Sequence, residues 1–540
     1  MLHFIPAWYQ QNTWHENEQK WYVRRMHTEF DDTVKQIQLF HRNKVYPYQL
    51  LLLSFSPNLR HFLHRQGVYH APYWSCFDAI QEVRRTKAVL LSFHNMKWPA
   101  HTEFVYTPFV VTALLKGEKY AQIEFGEDGN PIQIDIYKNG ILYRRNIYDD
   151  RGFVSATIIY RDGQPLYQDY LMENGVWKLR CFQDDGHVEV NPSCTGYRLV
   201  YGGREQIRTY SGLRYDSMEQ VIREILSSYL ELTDDADLFC AAMDEHHADL
   251  IKDVLRDKNV ILSFFGNRYD YERYGVDKDI AAMADYIITD SYEASCRIRE
   301  NSGGAVRRIT DISPYDTRMD FGISQQLKVQ KILVPVDGLE EEDFDKIIAI
   351  LGRYLMKNEN TRIHLFTRQA EYDRKDRLLE QVRISLRSAG LMEEWGKEEE
   401  HLGVSENHVD LRENIRARFL AEQCVDELSV SKCIREQRIL LDMRKAPTLY
   451  LQIMAVSAGI PMIVGSKTQF VEHGGNGMVL GDIDELPAAL EYYLDSLPNW
   501  NDAMVYSYEM GKKYTSEALI NKWKEVIDCI GKDSGIANRP

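Results

Sequence analysis

The sequence predicts an α/β protein with two doubly wound domains and an antiparallel β-meander inserted in the first. Three observations lead to this fold class. Short apolar runs of strand length alternate with amphipathic stretches of helical period on both sides of residues 118–212. Within that segment, Asn-Gly and Asp-Gly turn signals recur at a nearly constant spacing. The chain has 540 residues, which is enough for two or three domains.

Residues 1–117 are expected to form the first part of the N-terminal domain. The runs 50–55 and 89–93 are largely apolar, which is the pattern of strands buried on both faces. Asp31 begins an amphipathic stretch, with acidic side chains where the N-terminus of a helix favours them. Pro57 is expected in the first turn of a helix over 58–66. This alternation predicts a parallel sheet covered by helices.

The segment 118–212 is expected to be an antiparallel sheet inserted in that domain. Asn-Gly and Asp-Gly are strong hairpin signals, because both central residues of a type I′ turn need φ > 0. The stretches between the turns are β-branched and aromatic, and they predict about seven strands. Such a sheet cannot cover both of its faces alone, so we expect it to expose a broad surface. The glycines of the turn signals lie 11 or 12 residues apart, at Gly129, Gly140, Gly152, Gly163, Gly175 and Gly186.

The alternation of strands and helices resumes after residue 212. Residues 213–322 are expected to complete the N-terminal domain, and residues 323–510 to form a second, Rossmann-like C-terminal domain. A last helix is expected within 511–540, and it could return to the N-terminal domain. In such folds ligands bind beyond the carboxyl ends of the strands, here in a cleft between the domains. The strands predicted after residue 212 are 238–243, 260–265, 284–289, 332–336, 363–367, 439–441 and 462–464.

Composition excludes several classes of function. The 65 lysines and arginines against 81 aspartates and glutamates give a net charge of −16, whereas nucleic acid and anionic lipid both attract basic surfaces. The eight cysteines are scattered without a C-x-x-C pair, so we expect reduced thiols and no metal site. The N-terminus lacks the pattern of a signal peptide, and no apolar run approaches the roughly 18 residues of a membrane span. We therefore expect a cytosolic protein that binds no nucleic acid.

The common catalytic motifs are also missing. We find no G-x-S-x-G elbow, no P-loop and no G-x-G-x-x-G after a strand. Hydrolase, NTPase and dehydrogenase functions therefore lack a site, and no cofactor is predicted.

Residues 445–480 carry a resemblance to a known fold family. A helical stretch ends in Ala455, Gly459 and Pro461, a strand follows, and a glycine-rich turn runs from Glu472 to Gly477. This pattern is similar to the nucleotide-sugar domain of GT-B glycosyltransferases. The resemblance implies two Rossmann-like domains, with a donor site against that helix in which two glutamates eight residues apart hold donor hydroxyls.

The donor positions of that family are altered in this sequence. The two glutamate positions fall on Ala446 and Met454, which cannot accept a hydrogen bond through their side chains. The Arg and Lys positions that hold the diphosphate fall on Asp337 and Glu342. Carboxylates in place of these two cations would repel a diphosphate by several kcal/mol at the low effective dielectric of a cleft. The resemblance therefore implies a transferase fold without donor chemistry, and no catalytic residue is assigned.

A second resemblance concerns the N-terminus and the β insert. The opening run from His3 to Tyr9, with Trp14 and His15 following, resembles the accessory secretory proteins of streptococci and staphylococci, specifically the first of three. The insert resembles the polypeptide-binding insert of the glycosyltransferases encoded beside that system. The resemblance implies a non-catalytic protein in a complex with the second and third accessory secretory proteins. Together with the accessory Sec ATPase they would support export of serine-rich repeat glycoprotein adhesins, and membrane association would come only through partners.

Two other functions stay open at this point. One is an active GT-B transferase that adds a hexose or N-acetylhexosamine to Ser or Thr of a repeat protein. The other is a lectin that acts alone. The altered donor positions distinguish the first from the export subunit, and a stable complex with partners would argue against the second.

Several residues are candidates for binding saccharide. Aromatic side chains near the N-terminus could stack on sugar rings, although aromatics at irregular spacing are more often core residues. The glycine-rich turn could still hold a neutral sugar, although glycines also serve chain reversal. A segment of acids and histidines after the strand 238–243 could contribute a ligand or a base, with a solvated loop or helix cap as the alternative. The candidates are Trp8, Trp14, His15, Trp21, Tyr22, His246, Gly465, Glu472, Gly474 and Gly475.

Overall fold

The structure is a computed structural model that describes residues 1–10, 12–17, 30–271, 278–396 and 417–533. The chain divides into two compact units. The first contains Met1–Asp290, Cys296–Thr310 and the chain from Val526 onward, and the second contains Ser291–Ser295 and Asp311–Glu525. No helix among the described residues is long and apolar enough to cross a membrane.

The strands of the described chain are β1 (Leu2–Ile5), β2 (Tyr48–Leu52), β3 (Tyr73–Ser75), β4 (Thr102–Tyr106), β5 (Val110–Leu115), β6 (Glu118–Phe125), β7 (Pro131–Lys138), β8 (Ile141–Asp149), β9 (Phe153–Arg161), β10 (Gln164–Leu171), β11 (Trp177–Phe182), β12 (Val188–Val190), β13 (Gly196–Tyr201), β14 (Arg204–Thr209), β15 (Arg214–Tyr215), β16 (Leu238–Ala242), β17 (Asn259–Phe264), β18 (Tyr286–Thr289), β19 (Ile309–Asp311), β20 (Gln330–Pro335), β21 (Thr361–Thr367), β22 (Phe419–Gln423), β23 (Ile439–Asp442), β24 (Met462–Val464) and β25 (Gly477–Val479).

The α-helices of the described chain are α1 (Asp32–Asn43), α2 (Leu59–Arg65), α3 (Cys76–Ile80), α4 (Met218–Leu230), α5 (Ala248–Val254), α6 (Lys278–Met283), α7 (Tyr292–Asn301), α8 (Glu341–Lys357), α9 (Arg374–Ser388), α10 (Glu427–Arg435), α11 (Leu449–Ala458), α12 (Leu486–Leu494), α13 (Leu497–Gly511) and α14 (Ser516–Asp533).

The first unit contains a sheet with the strand order β19-β18-β17-β16-β1-β2-β3. β1 is buried along its whole length and pairs in parallel with β16 on one side and β2 on the other. The chain order reverses at β1, since β2 and β3 extend to one side and the later strands to the other. Ligands of open α/β sheets bind beyond the carboxyl ends of the strands at such a reversal. Trp8, Tyr9 and the segment after β16 lie there.

Two local expectations for this unit are wrong. The run 89–93 is not a strand: Val89 is 45% exposed and Leu90 is 84% exposed. Instead, its backbone forms a hydrogen bond with the insert, in which the Val89 N–H donates to the Asp150 carbonyl at 2.8 Å. The strand next to β2 in the seven-stranded sheet is β3, a short strand that we did not predict. Pro57 precedes Asn58, the N-cap residue of α2, and so lies outside the first helical turn.

The insert forms an antiparallel sheet with the order β15-β12-β11-β10-β9-β8-β7-β6-β5-β4, to which the described chain contributes ten strands. Three of them, β4, β5 and β15, lie outside residues 118–212, and the other seven, the number expected, lie within that segment. The hairpin signals act as predicted at Asn139-Gly140 and Asp162-Gly163, where both residues have positive φ. β13 and β14 pair separately as a two-stranded sheet.

A buried cluster of charged side chains fixes the insert to the first unit's helices. Asp149 and Asp150, at the β8–β9 turn, both bind Arg60 of α2. Arg151 binds Asp149 at 2.7 Å and also Asp78 of α3, through two hydrogen bonds of 2.7 and 2.8 Å. Asp149 and Arg151 are almost completely buried. The insert is therefore anchored by paired charges as well as by apolar packing.

The second unit contains a parallel sheet with the order β22-β21-β20-β23-β24-β25. Its central strands β20, β21, β23 and β24 are largely buried, as expected for a sheet covered on both faces. α11 ends at Gly459, which has φ +68° and sits in the left-handed region that glycine favours at a helix C-terminus. The carboxyl end of β20 leads to Asp337, and that of β24 leads to Gly465.

Candidate functional sites at the strand ends of the two units

In the first unit, a buried arginine pairs with two aspartates at the carboxyl ends of the strands. Arg268 lies 2.9 Å from a carboxylate oxygen of Asp31 and 2.7 Å from one of Asp32. Trp8, which follows β1, donates its indole N–H to Asp31 at 3.0 Å. Burial raises the pKa of Asp31 to about 6, and the neighbouring Asp32 adds to this effect. These polar groups satisfy one another and leave Trp8 only 4% exposed.

His247 lies next to this cluster as a neutral, fully buried ring. Its Nε2 is 2.7 Å from the Ala242 carbonyl and therefore donates to it, so Nδ1 accepts from the Tyr9 hydroxyl at 2.9 Å. Burial lowers the pKa of His247 to about 4, which keeps the ring neutral at physiological pH. The hydrogen bonds of both nitrogens give it a structural role.

The N-terminal aromatic candidates also pack inward. Trp14 is 8% exposed, and its ring centroid lies 4.4 Å from that of His246. His15 packs edge-on against Phe55, and burial lowers its pKa to about 4. The burial of Trp8 and Trp14 favours the alternative reading of these aromatics as core residues. Trp21 and Tyr22 lie outside the described residues.

We expect replacement of His247 to weaken the response of stability to acid. The pKa of His247 is about 4 in the folded chain and about 6.5 ordinarily, so between these values only the unfolded chain binds the proton. Stability supplied by the neutral ring is therefore lost as pH falls from about 6.5 to about 4. Asp31 acts in the opposite direction between its ordinary 3.8 and about 6, since the folded chain then holds the extra proton.

Urea unfolding of His247→Gln from pH 7 to pH 5 should show a slope of stability against pH that is lower by up to about 1.4 kcal/mol per pH unit. His64→Gln is the matched control, because His64 is exposed on α2. Equal slopes for the parent chain and the His247 variant would contradict a neutral buried ring.

In the second unit, the two acidic side chains at the family's donor positions are each bound by neighbouring groups of this chain. Asp337 accepts hydrogen bonds from the Thr367 hydroxyl and the Arg368 N–H, both at 2.7 Å, and from Arg374 at 3.2 Å. The expected repulsion assumed a free carboxylate at this position. The structure instead shows a carboxylate whose charge is balanced by the first residue of α9.

The other altered positions lie near the surface of the unit. Glu342 is in the first turn of α8 and is bridged at 2.8 Å to Lys346. Ala446 is exposed in the turn before α11, and Met454 lies half-buried on that helix. Sequence reasoning did not single out Arg374 or Arg444, and Arg444 donates to the Asp337 carbonyl at 3.3 Å. The acid and the arginine at Asp442 and Arg444, two residues apart, were the feature of the sequence that could have indicated a charged cluster here.

The glycine-rich turn is held together by hydrogen bonds among its own residues. The Glu472 N–H donates to the Asn476 side chain at 2.9 Å, and the Gly475 N–H donates to the Glu472 carbonyl at 3.0 Å. Gly474 has φ +76°, and a Cβ at Gly475 would lie 2.8 Å from the Tyr506 ring. The Glu472 side chain is exposed. Gly465 instead makes room for the Met443 carbonyl, 3.1 Å from where a Cβ would lie.

Comparisons with known proteins show what this chain resembles. A family model matches residues 1–529, and it describes accessory Sec system protein 1, which is also called accessory secretory protein 1. The protein of that name from Streptococcus gordonii is 32% identical over 538 residues, covering 98% of this chain and 100% of that protein. A chain in the crystal structure of accessory secretory protein 1, 2 and 3 in Streptococcus pneumoniae is 29% identical with a TM-score of 0.79, covering 99% of this chain and 100% of that one.

The GT-B prediction is confirmed at the level of the fold. The pneumococcal O-GlcNAc transferase GtfA, solved with UDP and GlcNAc, has a TM-score of 0.67 and covers 98% of each chain. Its sequence identity is 12%, so this likeness shows a shared fold and nothing about activity.

Proposed function

The chain belongs to the family of accessory Sec system protein 1, and we propose that it acts in that system as a non-catalytic subunit, bound to the second and third accessory secretory proteins. One observation carries this proposal: the similarity to a chain of the solved accessory secretory protein 1, 2 and 3 structure runs over 99% of this chain. Because the similarity runs over the whole chain, the fold has no missing region that would prevent such a complex.

The proposed task of the complex is export of serine-rich repeat glycoprotein adhesins together with the accessory Sec ATPase. The insert supports a role in holding polypeptide, because β4 is an edge strand of the described sheet. On that strand, Val105 is 47% exposed and Tyr106 is 63% exposed. An edge with free backbone groups and apolar side chains can add an extended chain as a further strand. In this proposal the protein is cytoplasmic and reaches the membrane through its partners.

The absence of transferase chemistry is part of the proposal. Ala446 and Met454 offer no side-chain hydrogen-bonding group toward a donor sugar. Asp337 already accepts three hydrogen bonds and leaves little capacity for a ligand. The alternative, an active GT-B transferase, is supported by the shared fold and by two arginines next to Asp337. Both are already paired in this structure, Arg374 with Asp337 and Arg444 with Asp442.

Co-purification tests the proposed complex. The full chain is co-expressed with a tagged second accessory secretory protein and with the third, and the three are expected to elute together from affinity and size-exclusion columns. In cells, deletion of this chain should abolish secretion of the glycosylated adhesin and leave it in the cytoplasm. Separate elution of this chain, or unchanged secretion, would contradict the proposal.

We expect the purified chain to bind neither UDP-glucose nor UDP-N-acetylglucosamine in a calorimetric titration. The physical reason is the missing acceptor groups at Ala446 and Met454. A donor-binding GT-B transferase titrated with the same solutions is the positive control. Donor binding by this chain, followed by transfer to a serine-rich peptide, would favour the transferase alternative.

A further inference from the structure

The outer side of α13, in the second unit, carries exposed apolar side chains. The inner side is fixed, because Trp500 is buried and donates its indole N–H to the Arg438 carbonyl at 2.8 Å. Leu497, Val505 and Tyr508 lie at positions i, i+8 and i+11, which share one side of a helix with 3.6 residues per turn. Leu497 and Val505 are each 57% exposed, and Tyr508 is 44% exposed. These three residues form an apolar stripe where a surface helix usually carries polar side chains.

The apolar stripe continues onto neighbouring side chains. The ring centroid of Phe321 lies 6.0 Å from that of Tyr508. Tyr492 of α12 is 45% exposed and lies beside the first turn of α13, because the Asn499 side chain donates to the Tyr492 carbonyl at 3.0 Å. From Leu497 to Tyr508 the helix rises about 16 Å, at 1.5 Å per residue. That is the length of about three turns of a helix lying alongside it.

The surface around the apolar stripe is acidic. Residues 468–511 contain eight aspartates and glutamates and neither lysine nor arginine, and all eight acidic side chains are exposed. Among the described residues, the one cation in an ion pair with any of them is Lys512, 2.7 Å from Glu509. Glu491 on α12 and Asp502 on α13 therefore keep uncompensated charges beside the apolar side chains. This combination favours a ligand that is both apolar and basic.

We propose that the outer face of α12 and α13 is a docking surface for a basic amphipathic helix of a partner protein. The apolar side of that helix covers Leu497, Val505 and Tyr508, and its lysines or arginines pair with Glu491 and Asp502. Charge selects this occupant, because a second copy of this chain would bring the same acids together. Anionic lipid and nucleic acid would be repelled for the same reason. The surface uses no donor position and no part of the insert, so the proposal is independent of the export role.

A titration with a defined peptide tests the surface. The probe is a fluorescently labelled peptide of leucine and lysine, about 18 residues long, whose leucines repeat with the period of a helix. Its anisotropy is followed as the full chain is added. We expect saturable binding that weakens as salt is raised, because the attraction between exposed charges is screened. A scrambled peptide of the same composition should bind at least about tenfold more weakly, since its leucines no longer share one side.

Two variants with matched controls locate the binding. Val505→Ser should weaken binding by about tenfold, because the buried valine contact is lost. Ile384→Ser is its control, since Ile384 is 52% exposed on α9 of the same unit. Asp502→Lys should also weaken binding, whereas Asp257→Lys makes the same change of charge at an exposed loop position of the first unit and should not.

Amide hydrogen exchange of the unaltered chain provides a second measurement. The bound peptide should slow exchange in α12 and α13, and a variant that fails to fold does not affect this result. The proposal is overturned if Ile384→Ser weakens binding as much as Val505→Ser, or if the peptide protects another segment. It is also overturned if the free chain sediments as a dimer that Val505→Ser dissociates, because the surface would then belong to a second copy. A failed titration leaves the co-purification test of the proposed complex unaffected.

Discussion

Replacing Arg268 by methionine is expected to lower the free energy of unfolding by about 3–5 kcal/mol. The guanidinium lies within 3 Å of carboxylates of both Asp31 and Asp32, and all three side chains are largely shielded from water. Methionine keeps much of the side-chain volume but leaves two carboxylates next to each other without a cation. Asp31 already has its pKa raised to about 6, so losing the arginine should raise it further.

Urea unfolding followed by circular dichroism measures this effect, with Arg84→Met as the matched control. Arg84 makes a comparable contact with Glu205, but its side chain is 59% exposed and the pair is screened by water, so we expect little or no loss of stability. Adding Asp31→Asn and Asp32→Asn to Arg268→Met should recover part of the stability, because no buried charge is then left unpaired. Similar losses for the Arg268 and Arg84 variants would show that the cluster is not a buried charge network.

The regular parts of this fold could be predicted because their causes are local. Asn139-Gly140 and Asp162-Gly163 form the expected turns since positive φ is a property of the residues themselves. Strand β24 begins and ends at the predicted residues, because a short apolar run that is followed directly by a glycine leaves little choice for where the strand can end. The full-length family membership was also predicted, from the opening run, the β insert and the altered donor positions, and it is confirmed.

The wrong predictions concern positions where distant partners decide. The run 89–93 has the composition of a buried strand, but its backbone partners, Asp150 and Asn130, lie in the insert. β3 is only three residues long, and Tyr73–Ser75 carries no periodicity that could be read from sequence. Strand pairing is a property of the whole sheet, and a single segment does not contain it.

The candidate site shows the same limit. Asp337 was read as a free anion because nothing near it in sequence indicates a cation, yet Arg374, 37 residues later, reaches it. Trp8 and Trp14 could be read as a sugar platform or as core, and only the contacts with Asp31 and His246 distinguish these. Residue types indicate which chemistry is available, whereas burial and pairing determine whether it is free for a ligand.

Replacing Arg151 by methionine is expected to loosen the insert from the first unit and to cost about 3–5 kcal/mol. Arg151 joins Asp149 at the base of the insert to Asp78 on α3, and it is 3% exposed. Without it, Arg60 alone must balance Asp149 and Asp150, and Asp78 loses its two hydrogen bonds. Loss of Arg151 therefore removes a contact with the insert, at Asp149, and a contact with α3, at Asp78.

Amide hydrogen exchange distinguishes loss of the anchor from general unfolding. In Arg151→Met, exchange should rise in both α3 and the β8–β9 turn, whereas the second unit keeps its protection. Arg145→Met is the matched control, because Arg145 makes the same bidentate contact with Asp135 but entirely within the insert. Its effect should stay in β7 and β8. If Arg151→Met changed only the insert strands, the charged cluster would not be what holds the insert in place. An insert held by paired charges has a fixed orientation, so the edge strand β4 is presented at a constant position relative to the first sheet.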